Sequence, residues 1–139
     1  MPGPIEREIK LAYDSPDEAR RAIEALGATG RRERRLQQDS LLDRETSTLM
    51  DRQHTLRVRR DGERAWLTFK GAPIPGPTKA REELETAVDD ADRVLRILER
   101  LGFDVRFRYE KYREEYAIGT LVITIDDTPI GTFVELEGD

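Results

Sequence analysis

The sequence predicts an α+β fold, with eight antiparallel strands that suffice to close a β-barrel and amphipathic helices packed outside it. Three observations predict this. Apolar and charged residues alternate with period 2 in segment after segment, two stretches carry apolar residues at helical spacing, and Asp61-Gly62 marks a tight hairpin between two of the alternating runs. The chain of 139 residues has the length of one domain, residues 1–139.

Ile5, Ile9 and Leu11 alternate with Glu6, Glu8 and Lys10, so the first strand has one apolar and one charged face. Ser15-Pro16-Asp17-Glu18 then supplies a capping serine, a proline at the first helical position and a glutamate three residues after the cap. A helix over residues 16–26 follows, with Ala19, Ile23 and Leu26 on one stripe and Gly27 as its stop. Residues 33–43 read as a second strand of ragged pattern, and Thr46 to Arg52 as an irregular connection or a short helical turn.

Thr55 to Arg60 and Arg64 to Lys70 flank the Asp61-Gly62 turn as an antiparallel pair. The proline-rich stretch from Ala72 to Pro77 cannot sit inside a sheet, so it is a loop before a strand at Lys79 to Val88. Asp89 to Leu101 begins acidic, carries Val94, Leu95, Leu98 and Leu101 on one stripe and ends at Gly102, as a second amphipathic helix does. Strands at Val105 to Ala117, Leu121 to Asp126 and Thr132 to Glu137 complete the set, the last two joined by a turn through Pro129 and Gly131.

Composition removes several function classes. There is no cysteine and a single histidine, His54, which excludes disulfides, thiolate catalysis and zinc sites built from cysteine or several histidines. No apolar run approaches the roughly 18 residues of a membrane helix, and Met1-Pro2-Gly3-Pro4 leads into no signal-peptide core. The expectation is a cytoplasmic protein without a membrane partner. A net charge of -5 argues against a nucleic-acid partner, although Arg31-Arg32-Glu33-Arg34-Arg35 is locally basic. That cluster, read alone, is a solvated strand edge, with phosphate contact as the lesser alternative.

Sorting each strand by parity collects the charges on one face: Glu6, Glu8 and Lys10; Arg57 and Arg59; Lys70; Arg81, Glu83 and Glu85; Lys111 and Arg113; Asp126; Glu135 and Glu137. The opposite face holds Ile5, Ile9, Leu11, Leu56, Val58, Leu67, Phe69, Leu84, Leu121, Ile123, Ile125, Val134 and Leu136. Alternation alone fits an open sheet with its polar face in water equally well. Like charges two residues apart on a strand are separated by about 6.6 Å, a repulsion of about 0.6 kcal/mol in water and about 2.5 kcal/mol at an effective dielectric of 20. If the strands close, these charges converge on one lumen. Its carboxylates suit hard divalent cations and its guanidinium and ammonium groups suit phosphate oxygens, so a metal-bound phosphate chain satisfies both sets.

Glu6-Arg7-Glu8-Ile9-Lys10 forms an E-x-E-x-K motif, and Leu56-Arg57-Val58-Arg59, Leu67-Thr68-Phe69-Lys70-Gly71, Arg81-Glu82-Glu83-Leu84-Glu85, Lys111-Tyr112-Arg113, Ile125-Asp126 and Phe133-Val134-Glu135-Leu136-Glu137 follow in order. In this the chain resembles the CYTH superfamily, the triphosphate tunnel metalloenzymes. The resemblance implies a tunnel that binds triphosphate-containing small molecules with Mg²⁺ or Mn²⁺ and either hydrolyses them or cyclises ATP to cyclic AMP and pyrophosphate. It implies Glu6, Glu8, Asp126, Glu135 and Glu137 as metal ligands or near-ligands, with Glu83 and Glu85 orienting a base or serving a second metal. Lys10, Arg57, Arg59, Lys70, Arg81, Lys111 and Arg113 are implied as phosphate-binding, and Glu8, Lys10 and Lys70 as catalytic. A homodimer is the assembly the resemblance suggests.

Two departures from the family pattern shape the expectation. The His-Phe pair that often precedes E-x-E-x-K in relatives of class IV adenylyl cyclases has no counterpart in Met1-Pro2-Gly3-Pro4, which tilts the reading toward a metal-dependent triphosphatase. The alternatives are an adenylyl cyclase of that class and a non-catalytic polyphosphate- or nucleotide-binding module. The family's usual C-terminal helix and tail also have no counterpart after Gly138-Asp139. Tyr109, Tyr112 and Tyr116 read as packing or rim residues, His54 as a surface residue, and Trp66 as a wall residue or a stacking platform for an organic group.

Overall fold

The computed structural model describes residues 3–138. Eight strands run as β1 (Ile5–Tyr13), β2 (Thr29–Asp43), β3 (Thr55–Asp61), β4 (Arg64–Lys70), β5 (Lys79–Val88), β6 (Asp104–Ile118), β7 (Leu121–Thr128) and β8 (Gly131–Glu137). They close into a barrel in the order β1-β5-β4-β3-β2-β6-β7-β8, and every pairing is antiparallel. The expected closed antiparallel barrel is the fold. Closure gives every strand two neighbours along at least part of its length, so none is an edge strand throughout. Among the described residues, no helix is long and apolar enough to cross a membrane.

Three helices accompany the barrel: α1 (Pro16–Ala25), the single turn α2 (Thr48–Asp51) and α3 (Ala91–Arg100). The caps act where the sequence places them. Ser15 accepts a hydrogen bond from the Glu18 amide at 3.1 Å, and the Asp90 carboxylate accepts one from the Arg93 amide at 2.9 Å. Each cap satisfies an amide that the first helical turn leaves without a partner.

The hydrophobic core lies outside the barrel, between its outer wall and the helices. Ala19 and Ile23 of α1 pack on Ile123, Ile125 and Val134 of β7 and β8. Ala91 belongs to a second buried cluster with Leu42, Val58 and Ala65, and Val94, Leu95 and Leu98 of α3 pack against it. Burying one such aliphatic side chain contributes about 1.5–3 kcal/mol. Leu26 and Leu101, expected on the buried stripes, instead form the helix C-caps and stay exposed, because each helix ends one residue earlier. Polar ties fix the register of α1 on the barrel: Arg20 donates to both Glu114 oxygens at 2.8 and 2.9 Å. On the outer face of β1 and β5, Ile5, Ile9, Leu11 and Leu84 remain exposed.

Two elements differ in detail from the sequence reading. β2 starts at Thr29, not at residue 33, and register shifts between Gly30 and Arg32 and between Arg32 and Arg35 break its alternation. The β3–β4 turn consists of Gly62 and Glu63, with Gly62 at φ 62°, while Asp61 closes the strand opposite Arg64. Asp61 is thereby a buried residue of the barrel interior and not a turn residue.

Candidate active site

The period-2 pleat sends alternate side chains inward, and pairing sets them at matching heights. Glu8 stands opposite Glu137, Lys10 opposite Glu135, Arg57 opposite Thr68, Arg59 opposite Trp66, Lys70 opposite Glu83, Thr68 opposite Glu85 and Arg113 opposite Asp126. These residues surround a cavity of about 580 Å³ inside the barrel. Of the residues assigned from sequence, Glu6, Glu8, Lys10, Arg57, Arg59, Lys70, Glu83, Glu85, Lys111, Arg113, Glu135 and Glu137 line it.

One part of the wall is acidic. Glu6, Glu8 and Glu137 each offer a carboxylate oxygen, and these oxygens lie within 4.8 Å of one another. Lys70 Nζ stands 3.5 Å from Glu6 and Lys79 Nζ 3.0 Å from Glu8. The crowding has an electrostatic consequence: burial, then the neighbouring charge of Glu6, pushes the Glu137 carboxyl up to about 7. Glu135 is also raised, by burial and by Glu8 and Asp126, against the pull of Arg113. This all-oxygen set fits a hard divalent cation such as Mg²⁺ or Mn²⁺, whose charge would relieve the mutual repulsion.

The rest of the wall carries most of the cations, interspersed with Asp61, Glu83, Glu85 and Glu115, and several of these cations are held from behind. Arg113 donates to the two oxygens of Asp126 at 2.6 and 2.8 Å, and Lys111 Nζ donates to the same carboxylate at 2.8 Å. Burial alone would raise the Asp126 carboxyl, but the Arg113 fork and Lys111 hold it well below the usual range. Arg59 is gripped in the same way by Asp39, through two bonds of 2.8 Å. Arg57 reaches Thr68 Oγ1 at 3.4 Å and a Glu85 oxygen at 3.5 Å. Burial and the adjacent Arg59 lower the Arg57 guanidinium, burial lowers the Lys70 ammonium, and burial together with Arg113 pushes Lys111 down to about 8. Such a wall gains by receiving an anion.

Two assigned residues are placed differently from the others. Both Asp126 oxygens accept from Arg113 and Lys111, so this carboxylate anchors cations. Arg81 donates to the carbonyls of Gly71 at 2.7 Å and Gln53 at 2.9 Å, beside the acidic end of the wall.

The match that decides the family covers almost the whole chain: the model of the CYTH domain fits residues 4–139. The chain belongs to the CYTH domain family. It is 29% identical over 134 residues to a protein of Methanocaldococcus jannaschii named as a candidate adenylate cyclase, covering 96% of this chain and 76% of that one. Its structure is similar to the PH1819 protein of Pyrococcus horikoshii, with a TM-score of 0.83, 28% identity and coverage of 96% and 77%. A candidate adenylyl cyclase of Hippeastrum, described as having a dominant triphosphatase activity, shares the fold at a TM-score of 0.74 and 22% identity, with coverage of 96% and 78%.

Several residues of this CYTH cavity were not assigned from sequence. Asp39, Gln37, Asp61 and Tyr109 belong to β2, β3 and β6 and are directed inward, and Arg31 and Arg32 share the cavity with them. The Arg31–Arg35 cluster pairs with β6 alone, because the β2–β3 register begins only at Gln37; Arg31 and Arg34 are exposed on this strand edge, while Arg32 and Arg35 converge on Asp61. Alternation of Gln37 and Asp39 with Leu36 and Gln38 was the available signal, and the β2 bulges obscured where it starts. Tyr112 and Tyr116 serve packing: Arg34 lies over the Tyr112 ring at 4.4 Å and the Tyr116 hydroxyl donates to Glu114 at 2.8 Å. His54 packs edge-on against Phe69 at 5.2 Å and is partly covered.

Proposed function

We propose that this CYTH domain is a divalent-metal-dependent hydrolase of triphosphate-containing small molecules. The observation that carries this reading is the division of one cavity of about 580 Å³ into a carboxylate cluster and a cationic wall. A triphosphate chain needs charge neutralisation along its length and a metal ion at its oxygens, and phosphoryl transfer is accelerated mainly by positioning and electrostatics. The triphosphatase activity named for the Hippeastrum relative supports hydrolysis.

Glu6, Glu8 and Glu137 are the residues that would hold Mg²⁺ or Mn²⁺, with Glu135 beside them; Glu83 and Glu85 are the further carboxylates for a second ion. The bound ion would neutralise phosphate charge and make an attacking water more acidic. Arg57, Arg59, Lys70, Lys111 and Arg113 grip phosphate oxygens. Asp39 and Asp126 set the directions in which Arg59, Arg113 and Lys111 donate, so the wall is ordered before substrate arrives. Lys10 lines the cavity and its ammonium lies 4.5 Å over the Phe133 ring. Glu8 is the group we assign to orient the water, and Lys70 and Lys10 offset charge that builds on the transferred phosphoryl group.

The second reading, an adenylyl cyclase, rests on the name of the Methanocaldococcus jannaschii relative. There the 3′-hydroxyl of ATP attacks the α-phosphate, forming the cyclic phosphodiester and releasing pyrophosphate. Product analysis with ATP, thiamine triphosphate and inorganic triphosphate in Mg²⁺ or Mn²⁺ separates the two. Orthophosphate is the expected product, and cyclic AMP with pyrophosphate would replace hydrolysis by cyclisation.

A further inference from the structure

Three buried side-chain atoms of the barrel interior have no hydrogen-bond partner among the described residues: Arg57 Nε, Thr124 Oγ1 and Gln37 Oε1. All three residues line the cavity. Arg57 Nε and the Thr124 hydroxyl can donate, and donors suit phosphate oxygens. Gln37 Oε1 can only accept. The phosphate oxygens of a triphosphate chain are acceptors alone, so they cannot satisfy this atom.

The amide of Gln37 is not free to turn its donor end into the cavity. Its Nε2 donates to Asp61 at 2.9 Å. Asp61 also receives Arg35 at 2.8 and 3.1 Å and Arg32 at 3.0 Å, which holds its carboxyl ionised and acceptor-only. Flipping the amide would set the Gln37 carbonyl oxygen against that carboxylate. The neighbouring cation is also committed, because Lys111, the register partner of Gln37 on β6, donates to Asp126. A buried acceptor held in place and left unmet costs about as much as a lost hydrogen bond, so it discriminates in favour of a ligand that supplies the donor. Trp66 also lines the cavity, where an indole can stack on a ring that carries the donor.

We infer that Gln37 is a specificity-determining residue whose free Oε1 accepts a hydrogen bond from an N–H or O–H on the organic group of the substrate, so that the cavity favours an organic triphosphate over inorganic triphosphate. This rests on the triphosphate-binding reading above. It assigns to the Asp61, Arg32 and Arg35 cluster the task of presenting the acceptor.

The test is a set of dissociation constants for inorganic triphosphate, ATP, GTP, CTP, UTP and thiamine triphosphate, measured calorimetrically in Ca²⁺ on the unaltered chain and on Gln37→Met. The expected result is that at least one organic triphosphate binds about tenfold or more tightly than inorganic triphosphate, and that this ratio collapses toward one in Gln37→Met. Equal weakening of all ligands in the variant would mean that Gln37 only supports Asp61, and the inference falls. Inorganic triphosphate binding as tightly as every organic ligand would overturn it alone. Binding of none of them would overturn the triphosphate reading and the inference with it. Should Gln37→Met fail to fold, analogues of the preferred ligand that lack each N–H and O–H donor in turn decide the matter on the unaltered chain. One of them must lose the preference, and retention by all would refute the inference.

Discussion

Asp126 accepts from Arg113 through both carboxylate oxygens, at 2.6 and 2.8 Å, inside a barrel whose interior holds a charged cavity. The same carboxylate also receives Lys111, so one buried anion aims two cations at the cavity. Removing it should be costly in a specific way. Asp126→Ala strips Lys111 of its carboxylate and leaves Arg113 only Glu135 at 3.9 Å, and is expected to destabilise the ligand-free protein by about 3–5 kcal/mol, read from denaturant unfolding. Added triphosphate should recover part of that loss, because it supplies the missing negative charge. No loss in the variant would show that the pairing is unimportant.

The acidic wall gives a pH signature to the metal-free protein. Glu137 is pushed up to about 7 by burial and Glu6, so folding favours its protonated form. That contribution is fully present below the unfolded value of about 4.3 and is lost as pH rises through about 7. The unfolding midpoint in chelator should therefore fall between about pH 4.5 and 7. Asp126 and Asp61, both depressed, act oppositely and only below about pH 4, where their stabilisation is lost. Glu137→Gln should flatten the fall, and Mg²⁺ at pH 7 should reverse it.

Lys111 lies near 8, lowered by burial and by Arg113, so part of the cationic wall titrates just above neutrality. Above that pH the unprotonated amine no longer attracts phosphate. kcat/KM, which reports groups of the free enzyme, should drop with pH above about 8. Lys111→Arg should move the drop to higher pH, because guanidinium stays charged.

The outer core predicts a stability change that spares the site. Ile23 of α1 is almost wholly buried against Ile123, Ile125 and Val134. Ile23→Ala should cost about 2–5 kcal/mol in unfolding free energy while leaving triphosphate affinity within about twofold. A large change in affinity would show that α1 shapes the interior as well as covering the wall.

The parts of this fold that could be read from sequence are those where one period runs unbroken. In β1, Glu6, Glu8 and Lys10 alternate with Ile5 and Ile9, and all three charged side chains line the cavity. β2 was harder, since its bulges shift Arg32 and Arg35 out of alternation and hide Gln37 and Asp39. In the sequence Asp61 reads as half of a turn because Asp-Gly tolerates positive φ; only strand pairing reveals that it faces Gln37 and Arg64. Parity placed Asp126 inward correctly. Its attachment to Arg113 and Lys111 depends on a neighbouring strand, which spacing along one strand cannot convey. Arg81 shows the same limit, as its contacts are carbonyls of two distant turns.

The most direct test of the central claim is orthophosphate release from triphosphate substrates with and without Mg²⁺ or Mn²⁺, using the parent chain and the Glu6→Gln, Glu8→Gln double variant. The account predicts metal-dependent release by the parent and its loss in the variant. Equal release by both proteins, or release undiminished by chelator, would contradict it.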